Sequence, residues 1–364
     1  MKIFSISLDK NILDKNSGVA KRMVEYGNLL DKYTIITLAY INSIVDLSDN
    51  VKVYSINKEN KIFAFFNIYK KSCKILKKEK YDLITVQDIY FVGFLATILV
   101  KKFKIGLEVQ VHGFEKFYGI RKILFEYIIK KANSVRVVSQ RLKSQLIKEF
   151  NILEEKIIIV SIYTEPINVK IKSKEVGNDF VFLTVSRLVK VKNIEMQIKA
   201  FKNVIDFFEN NKQKKVKDLK LWIIGDGECE KKLKFEVKKL GLENYVKFWG
   251  WQTDLEKFYN NSDVFLLTSN YEGWGVVVIE AVSYGLPIIM TDVGCAGEFI
   301  INNENGVVIP IGDQKLLEYK MIDLIENNNL RKKLSENAKK SVSKLLTKEQ
   351  TLDLYKKSWE KAIL

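Results

Sequence analysis

The chain has 364 residues, 47% of them hydrophobic and 29% charged, which reads as a soluble globular protein long enough for two domains. Its three cysteines stand far apart without a CxxC pair and it has a single histidine, which argues against a disulfide framework and a two-histidine metal site and fits a reducing compartment. The net charge of +16 is uneven: residues 1–165 hold 28 Lys+Arg against 17 Asp+Glu, and the remainder 32 against 27. An anionic membrane surface and nucleic acid therefore enter as candidate partners beside simple surface solvation.

The apolar start, Met1 to Leu8, is cut by Asp9-Lys10 and is too short for a signal peptide. The longest uncharged apolar run, Ile89 to Val100, falls short of the ~20 residues of a membrane span and suits a buried helix. A cytoplasmic location is expected. Strands are predicted at Lys2–Leu8, Thr34–Leu38, Val51–Ser55, Asp82–Val86, Gly106–Val111, Ser134–Val138 and Ile157–Val160. Helical patterns fall between them at Val19–Leu30, Phe63–Lys78, Phe91–Lys101, Arg121–Lys131 and Arg141–Phe150. Such alternation predicts parallel strands joined by right-handed crossovers. The pattern lapses over a polar stretch holding Pro166 and ending at Gly177-Asn178, read as a linker over 166–178 between domains at 1–165 and 179–345. Strands resume at Phe180–Ser186, Lys220–Ile224, Val246–Phe248, Val264–Leu267, Pro287–Met290 and Gly306–Ile309. After Gly312-Asp313 the chain is helical, and its last stretch, over 346–364, has no sheet of its own and is expected to pack back on the first domain. The fold class is α/β, two Rossmann-like doubly wound domains facing each other across a cleft, with ligands at the carboxyl ends of the strands.

Two motifs lie where such a fold binds anions. Ser186 to Asn193 follows the first strand of the second domain and offers Arg187 as a planar fork and Lys192 as a point charge, a pair suited to a diphosphate. A solvated basic loop is the plainer alternative. Glu272-Gly273-Trp274-Gly275-Val276 then leads into a helix carrying Glu280, with glycines that let backbone N–H groups approach a ligand and helix-start donors that favour phosphate. The two carboxylates are placed to bind sugar and ribose hydroxyls separately rather than as a close acid/base pair. His112-Gly113 stands at the carboxyl end of Gly106–Val111. Ser17-Gly18 opens the first helix but lacks the GxGxxG pattern, and Gly225-Asp226-Gly227 is an equally weak signal.

In this order the pieces resemble the retaining glycosyltransferases of GT-B fold, family 4, most strongly from Phe182 to Asp313. The run Ser269 to Ala281 is similar to that family's two-glutamate motif, and Tyr284 to Gly294 and Glu304 to Val308 match its usual phrasing. The resemblance implies that Arg187 and Lys192 neutralise the donor diphosphate, Glu280 holds the ribose, and Glu272 with the backbone of Gly273, Trp274, Gly275 and Val276 holds the donor sugar and phosphate. It further places His112 near the reacting carbon, Gly18 near the diphosphate and Val246–Gly250, ending in Gly250, along the base. Ser17 stands where the family often has a second glycine, and Trp274 replaces a more usual phenylalanine.

These roles imply transfer with retention from a nucleotide-diphosphate sugar, a UDP-sugar first and GDP-mannose second, to a glycan or lipid-linked saccharide acceptor in surface polysaccharide or glycan assembly. No Asp-x-Asp occurs, so no metal and no cofactor are expected. No nucleic acid partner is expected on this reading. A glycosidase, a sugar-nucleotide epimerase, a glycogen-type synthase and a non-catalytic basic binder of membrane or nucleic acid are the competing readings. The stretch Phe63 to Lys78 joins aromatics to lysines at helical spacing, and the hypothesis that follows docks the first domain on the inner leaflet as a peripheral membrane enzyme.

Overall fold

A computed structural model describes residues 1–57, 60–113, 119–164, 179–211 and 218–363. The chain divides into two compact units, Met1–Ser161 with Leu346–Leu364, and Ile162–Leu345. The expected linker over 166–178 lies outside the described residues.

The first unit runs β1 (Lys2–Ile6), α1 (Gly18–Gly27), β2 (Lys32–Ala39), β3 (Ser43–Asp46), β4 (Val51–Asn57), α2 (Lys61–Lys78), β5 (Leu83–Val86), α3 (Phe91–Phe103), β6 (Gly106–Val111), α4 (Ile120–Lys131), β7 (Ser134–Val137), α5 (Gln140–Phe150) and β8 (Ile157–Ile159). The sheet order is β3-β4-β2-β1-β5-β6-β7-β8, parallel except for the β3–β4 pair. β5 and β7 are both buried along their whole length; β5 reads as a nearly continuous apolar run, whereas β7 alternates, with Ser134 and Arg136 among its buried residues. Helix starts are set by side-chain caps: Ser17 Oγ accepts from the Ala20 amide and Ser139 Oγ from the Leu142 amide.

The second unit runs β9 (Phe180–Val185), α6 (Ile194–Asn210), β10 (Leu219–Ile224), α7 (Glu230–Lys239), β11 (Val246–Gly250), α8 (Glu256–Asn260), β12 (Val264–Leu267), α9 (Val276–Ser283), β13 (Ile288–Thr291), β14 (Val307–Ile309), α10 (Gln314–Glu326) and α11 (Asn328–Val342). All its strand pairs are parallel, in the order β11-β10-β9-β12-β13-β14. Chain direction across the sheet therefore reverses between β9 and β12, and the loops leaving those two strands flank the switch point where ligands bind. Phe182, Phe201, Leu221, Leu266 and Met321 sit in the core between this sheet and its helices.

The last helix, α12 (Lys348–Ala362), starts on a Thr347–Gln350 capping box and belongs to the first unit. Trp359 is buried in a core with Ile3, Tyr26, Tyr33 and Ile35. Beneath α12, Glu108 on β6 is fully buried and meets Arg136 Nε on β7 at 3.2 Å. Ser358 Oγ of α12 donates to the same carboxylate at 2.6 Å, and Thr85 Oγ1 donates to its other oxygen. The Arg136 guanidinium lies 3.8 Å over the Tyr355 ring. Burial pushes the Tyr33 hydroxyl up to about 12 and raises that of Tyr26. Among the described residues no helix is long and apolar enough to cross a membrane.

Candidate functional site

The loop leaving β9 is pinned by backbone. The Leu188 amide donates to Asp226 O at 2.6 Å, and Leu188 O accepts from the Cys229 amide at 2.9 Å. A Cβ on Gly225 would lie 1.9 Å from Ser186 O, and one on Gly227 would lie 2.5 Å from Leu188 O. The Gly225-Asp226-Gly227 turn thus serves as the floor that holds the basic loop, with glycine at both positions for close packing and positive φ. A short 3-10 turn at Lys190–Lys192 and a left-handed Asn193 then aim the loop into α6.

The loop leaving β12 zips onto it. The Asn270 amide donates to Val191 O at 2.8 Å, and Thr268 Oγ1 donates to Asn193 O at 3.2 Å while accepting from Gln197 Nε2 at 2.8 Å. Lys192 Nζ reaches Glu272 Oε1 at 2.5 Å, with the two side chains only 16% and 12% exposed, and Ser269 Oγ donates to that oxygen at 2.7 Å. The sequence presents Lys192 as an open point charge; the structure gives it to Glu272. Arg187 is exposed, and among the described residues no hydrogen bond or ion pair engages its side chain. Its charge is the one left open at the switch point by this pair of basic residues.

Gly275 (φ +97) precedes the first turn of α9, where the Val276 and Val277 amides have no intrahelical acceptor and the Val278 amide donates to Gly275 O at 2.9 Å. Trp274 is buried, its indole N–H has no partner among the described residues, and its carbonyl accepts from the Cys295 amide at 2.8 Å. Gly273 joins it to Glu272. Behind this turn stands Gly294 (φ +55), where a Cβ would lie 2.5 Å from Trp274 O and 2.9 Å from Glu272 Cβ. Sequence reasoning gives Gly294 no role in the site; its place at the end of a strand-to-loop junction after β13 was the available signal. Glu280, inside α9, accepts from Tyr259 Oη at 2.8 Å. The two glutamates therefore engage different partners. Burial first, and Glu280 second, hold the Tyr259 hydroxyl far above its ordinary range, so it remains a donor. Gly250 closes β11 at φ +67, and its carbonyl accepts from the Gly225 amide at 2.8 Å.

Gly18 and His112 belong to the first unit. Gly18 is the exposed first residue of α1, and a Cβ there would meet nothing within 4 Å. No protein contact demands glycine at this position. His112 directly follows β6 and is half-buried, with Nε2 3.4 Å from Gln110 Oε1, and Gln110 Nε2 donates to Thr85 Oγ1 at 2.8 Å. Burial, then the positive charges of Arg136 and Arg22, bring its imidazole down to about 4. It is neutral at neutral pH and can offer hydrogen bonds but no charge.

A model of the family described as glycosyl transferases group 1 matches residues 167–341. The uncharacterized glycosyltransferase MJ1059 of Methanocaldococcus jannaschii is 30% identical over 352 residues, 80% of this chain and 84% of the relative. The UDP-Gal:alpha-D-GlcNAc-diphosphoundecaprenol alpha-1,3-galactosyltransferase of Escherichia coli is 28% identical over 264 residues, 66% of this chain and 65% of the relative. Among solved structures, Anabaena HepE in complex with UDP is similar in fold, with a TM-score of 0.76 at 19% identity over 99% of each chain.

Proposed function

This chain belongs to the glycosyl transferases group 1 and has the GT-B fold, and we propose that it transfers a hexose or N-acetylhexosamine from a UDP-sugar, with retention and without a metal, to a hydroxyl of a glycan or lipid-linked saccharide in surface polysaccharide assembly. GDP-mannose is the second donor candidate. The observation that carries the reading is the convergence of Arg187, the Lys192–Glu272 pair and the α9 start at the switch point between β9 and β12. The similarity to HepE, solved with UDP, and to an Escherichia coli enzyme named for UDP-Gal supports the uridine donor. The latter's diphosphoundecaprenol acceptor supports a lipid-linked one.

In this reading the donor diphosphate meets the open Arg187 guanidinium and the first-turn amides of α9, which oppose the negative charge that grows as the sugar leaves. Lys192 turns from Glu272 to the diphosphate, and the released Glu272 carboxylate accepts from sugar hydroxyls. Glu280, oriented by Tyr259, holds the ribose. Gly250 with the rest of β11 borders the base, Gly18 admits the diphosphate, and neutral His112 contacts the sugar beside the reacting carbon. The acceptor oxygen bonds to the anomeric carbon on the face from which the phosphate oxygen departs, and that phosphate takes the acceptor proton. A thermal-shift panel of UDP, GDP, ADP and CDP and their sugar conjugates, on wild type and Arg187→Ala, tests it. A shift with a uridine ligand that is lost in the variant is expected. Folded wild type that responds to none of them would overturn the reading.

A further inference from the structure

Three helices of the first unit carry an exposed face that the transferase site does not use. On α2, Phe63 and Phe66 are 68% and 54% exposed; on α4, Ile120 and Ile123 are 76% and 68% exposed; Phe94 and Ile98 of α3 lie open between them. The helices are neighbours. Phe65 and Phe91 rings lie 5.5 Å apart, Phe94 and Tyr127 rings 6.2 Å apart, and Lys102 Nζ donates to Tyr69 Oη at 2.9 Å. Each helix follows a parallel strand (β4, β5 and β6), so all three run the same way and begin at the carboxyl edge of the sheet, the edge at which His112 follows β6.

Its most exposed apolar side chains, Phe63, Phe66, Ile120 and Ile123, lie in the first turns of α2 and α4, where exposed Arg121 and Lys122 stand beside the isoleucines, and Ile98 and Tyr127 continue the apolar face further along α3 and α4. The last turns present Lys74, Lys77 and Lys78 on α2, Lys101 and Lys102 on α3, and Lys130 and Lys131 on α4. Across the three helices twelve Lys and Arg stand against one acidic residue, Glu126. Monomer surfaces rarely leave so many large apolar side chains together, and such a patch marks a contact. Its charge selects the partner: a second copy would bring lysines against lysines, and nucleic acid would leave the phenylalanines and isoleucines without an apolar medium. A bilayer with anionic headgroups satisfies both halves, taking the apolar turns at the acyl boundary and the lysines at the headgroups.

We propose that the exposed faces of α2, α3 and α4 form a docking surface for an anionic lipid bilayer, with the carboxyl edge of the first unit dipped toward the lipid. This orientation would bring His112 to a lipid-linked acceptor, a consequence that rests on the transferase reading; the docking itself does not. The full chain is tested by flotation with phosphatidylcholine vesicles, with and without a third of phosphatidylglycerol. Binding that requires phosphatidylglycerol, and that falls by about tenfold on raising salt from about 0.1 to 0.5 M, is expected. The Phe63→Ser/Phe66→Ser/Ile120→Ser/Ile123→Ser variant should bind at least about tenfold more weakly with an unchanged Tm, and Lys74→Glu/Lys77→Glu/Lys78→Glu should lose the phosphatidylglycerol preference. UDP shifts recorded on the same samples keep failure of docking distinct from failure of the donor site. Wild type that ignores phosphatidylglycerol would overturn the proposal. So would vesicle binding unchanged in the serine variant, tighter binding to a single-stranded oligonucleotide, or a dimer in light scattering that the serine variant alone abolishes.

Discussion

Arg187 and Lys192 carry like charges five positions apart, yet the structure assigns their removal opposite consequences. Arg187→Ala deletes an exposed side chain with no partner among the described residues, so stability should stay within about 0.5 kcal/mol of wild type. A charge-assisted contact to a diphosphate is worth about 1.5–3 kcal/mol, which predicts UDP binding weakened by about 10- to 150-fold. Lys192→Ala instead strands Glu272, a carboxylate only 12% exposed, with the Ser269 hydroxyl as its remaining partner at 2.7 Å. That should cost about 1–3 kcal/mol of stability before any ligand is added. Lys192→Met/Glu272→Gln removes both charges and should recover about 1 kcal/mol or more relative to the sum of the single variants. Urea denaturation reads the stabilities and titration calorimetry with UDP reads the binding. Arg187→Ala that is folded and binds UDP within about twofold of wild type refutes the diphosphate assignment. Lys192→Ala that is as stable as wild type refutes the structural weight placed on its pair with Glu272.

Three further outcomes follow from the geometry. The His112 imidazole lies at about 4 in the folded chain against about 6.5 when unfolded, so the unfolded state takes up the proton first; stability falls as pH drops from 6.5 to 4, by at most about 3 kcal/mol, and urea midpoints measured across that window should drop less in His112→Asn than in wild type. Arg136→Met leaves the fully buried Glu108 carboxylate without its cation and should cost about 3–5 kcal/mol, with Glu108→Gln/Arg136→Met less destabilised than the single variant; equal losses in thermal unfolding would refute the pairing. Gly294→Ala forces a Cβ against Trp274 O at a φ of +55, so a loss of about 1–3 kcal/mol together with weaker UDP binding is expected, whereas Gly18→Ala, with nothing within 4 Å of its added Cβ, should weaken UDP binding at unchanged Tm.

The strand pattern was legible because both sheets bury their central strands. Gly106–Val111 and Val264–Leu267 coincide with β6 and β12 to the residue. The strand expected from Pro287 begins one residue later, at Ile288. What escaped was β3, four half-exposed residues on an antiparallel edge, too short for a period of two to stand out. In the site, residue types were legible and their partnerships were not. The Lys192–Glu272 contact spans 80 positions, and it depends on β12 adding beside β9 rather than on anything local to either loop. The glycines show the same limit. Gly225 and Gly227 look like phosphate glycines in isolation, while their neighbours show that their spacing serves the carbonyls of Ser186 and Leu188.

The same dependence on neighbours governs how the fold accommodates the two basic residues of the β9 loop. Two neighbouring cations without a counter-charge would repel each other and gain nothing from burial. Pairing one of them with Glu272, at 16% and 12% exposure, ties the β9 and β12 loops together, while Arg187 in water costs little. On the proposed transferase reading, a donor diphosphate competes with the Glu272 carboxylate for Lys192, and the displaced carboxylate becomes available to sugar hydroxyls. On this logic Glu272→Gln, which keeps the shape and loses the charge, should bind UDP at least as tightly as wild type while losing turnover with a UDP-sugar. An enzyme in which Glu272 served only the fold would lose stability and keep its turnover per folded molecule, and the ratio of those two measurements decides between them.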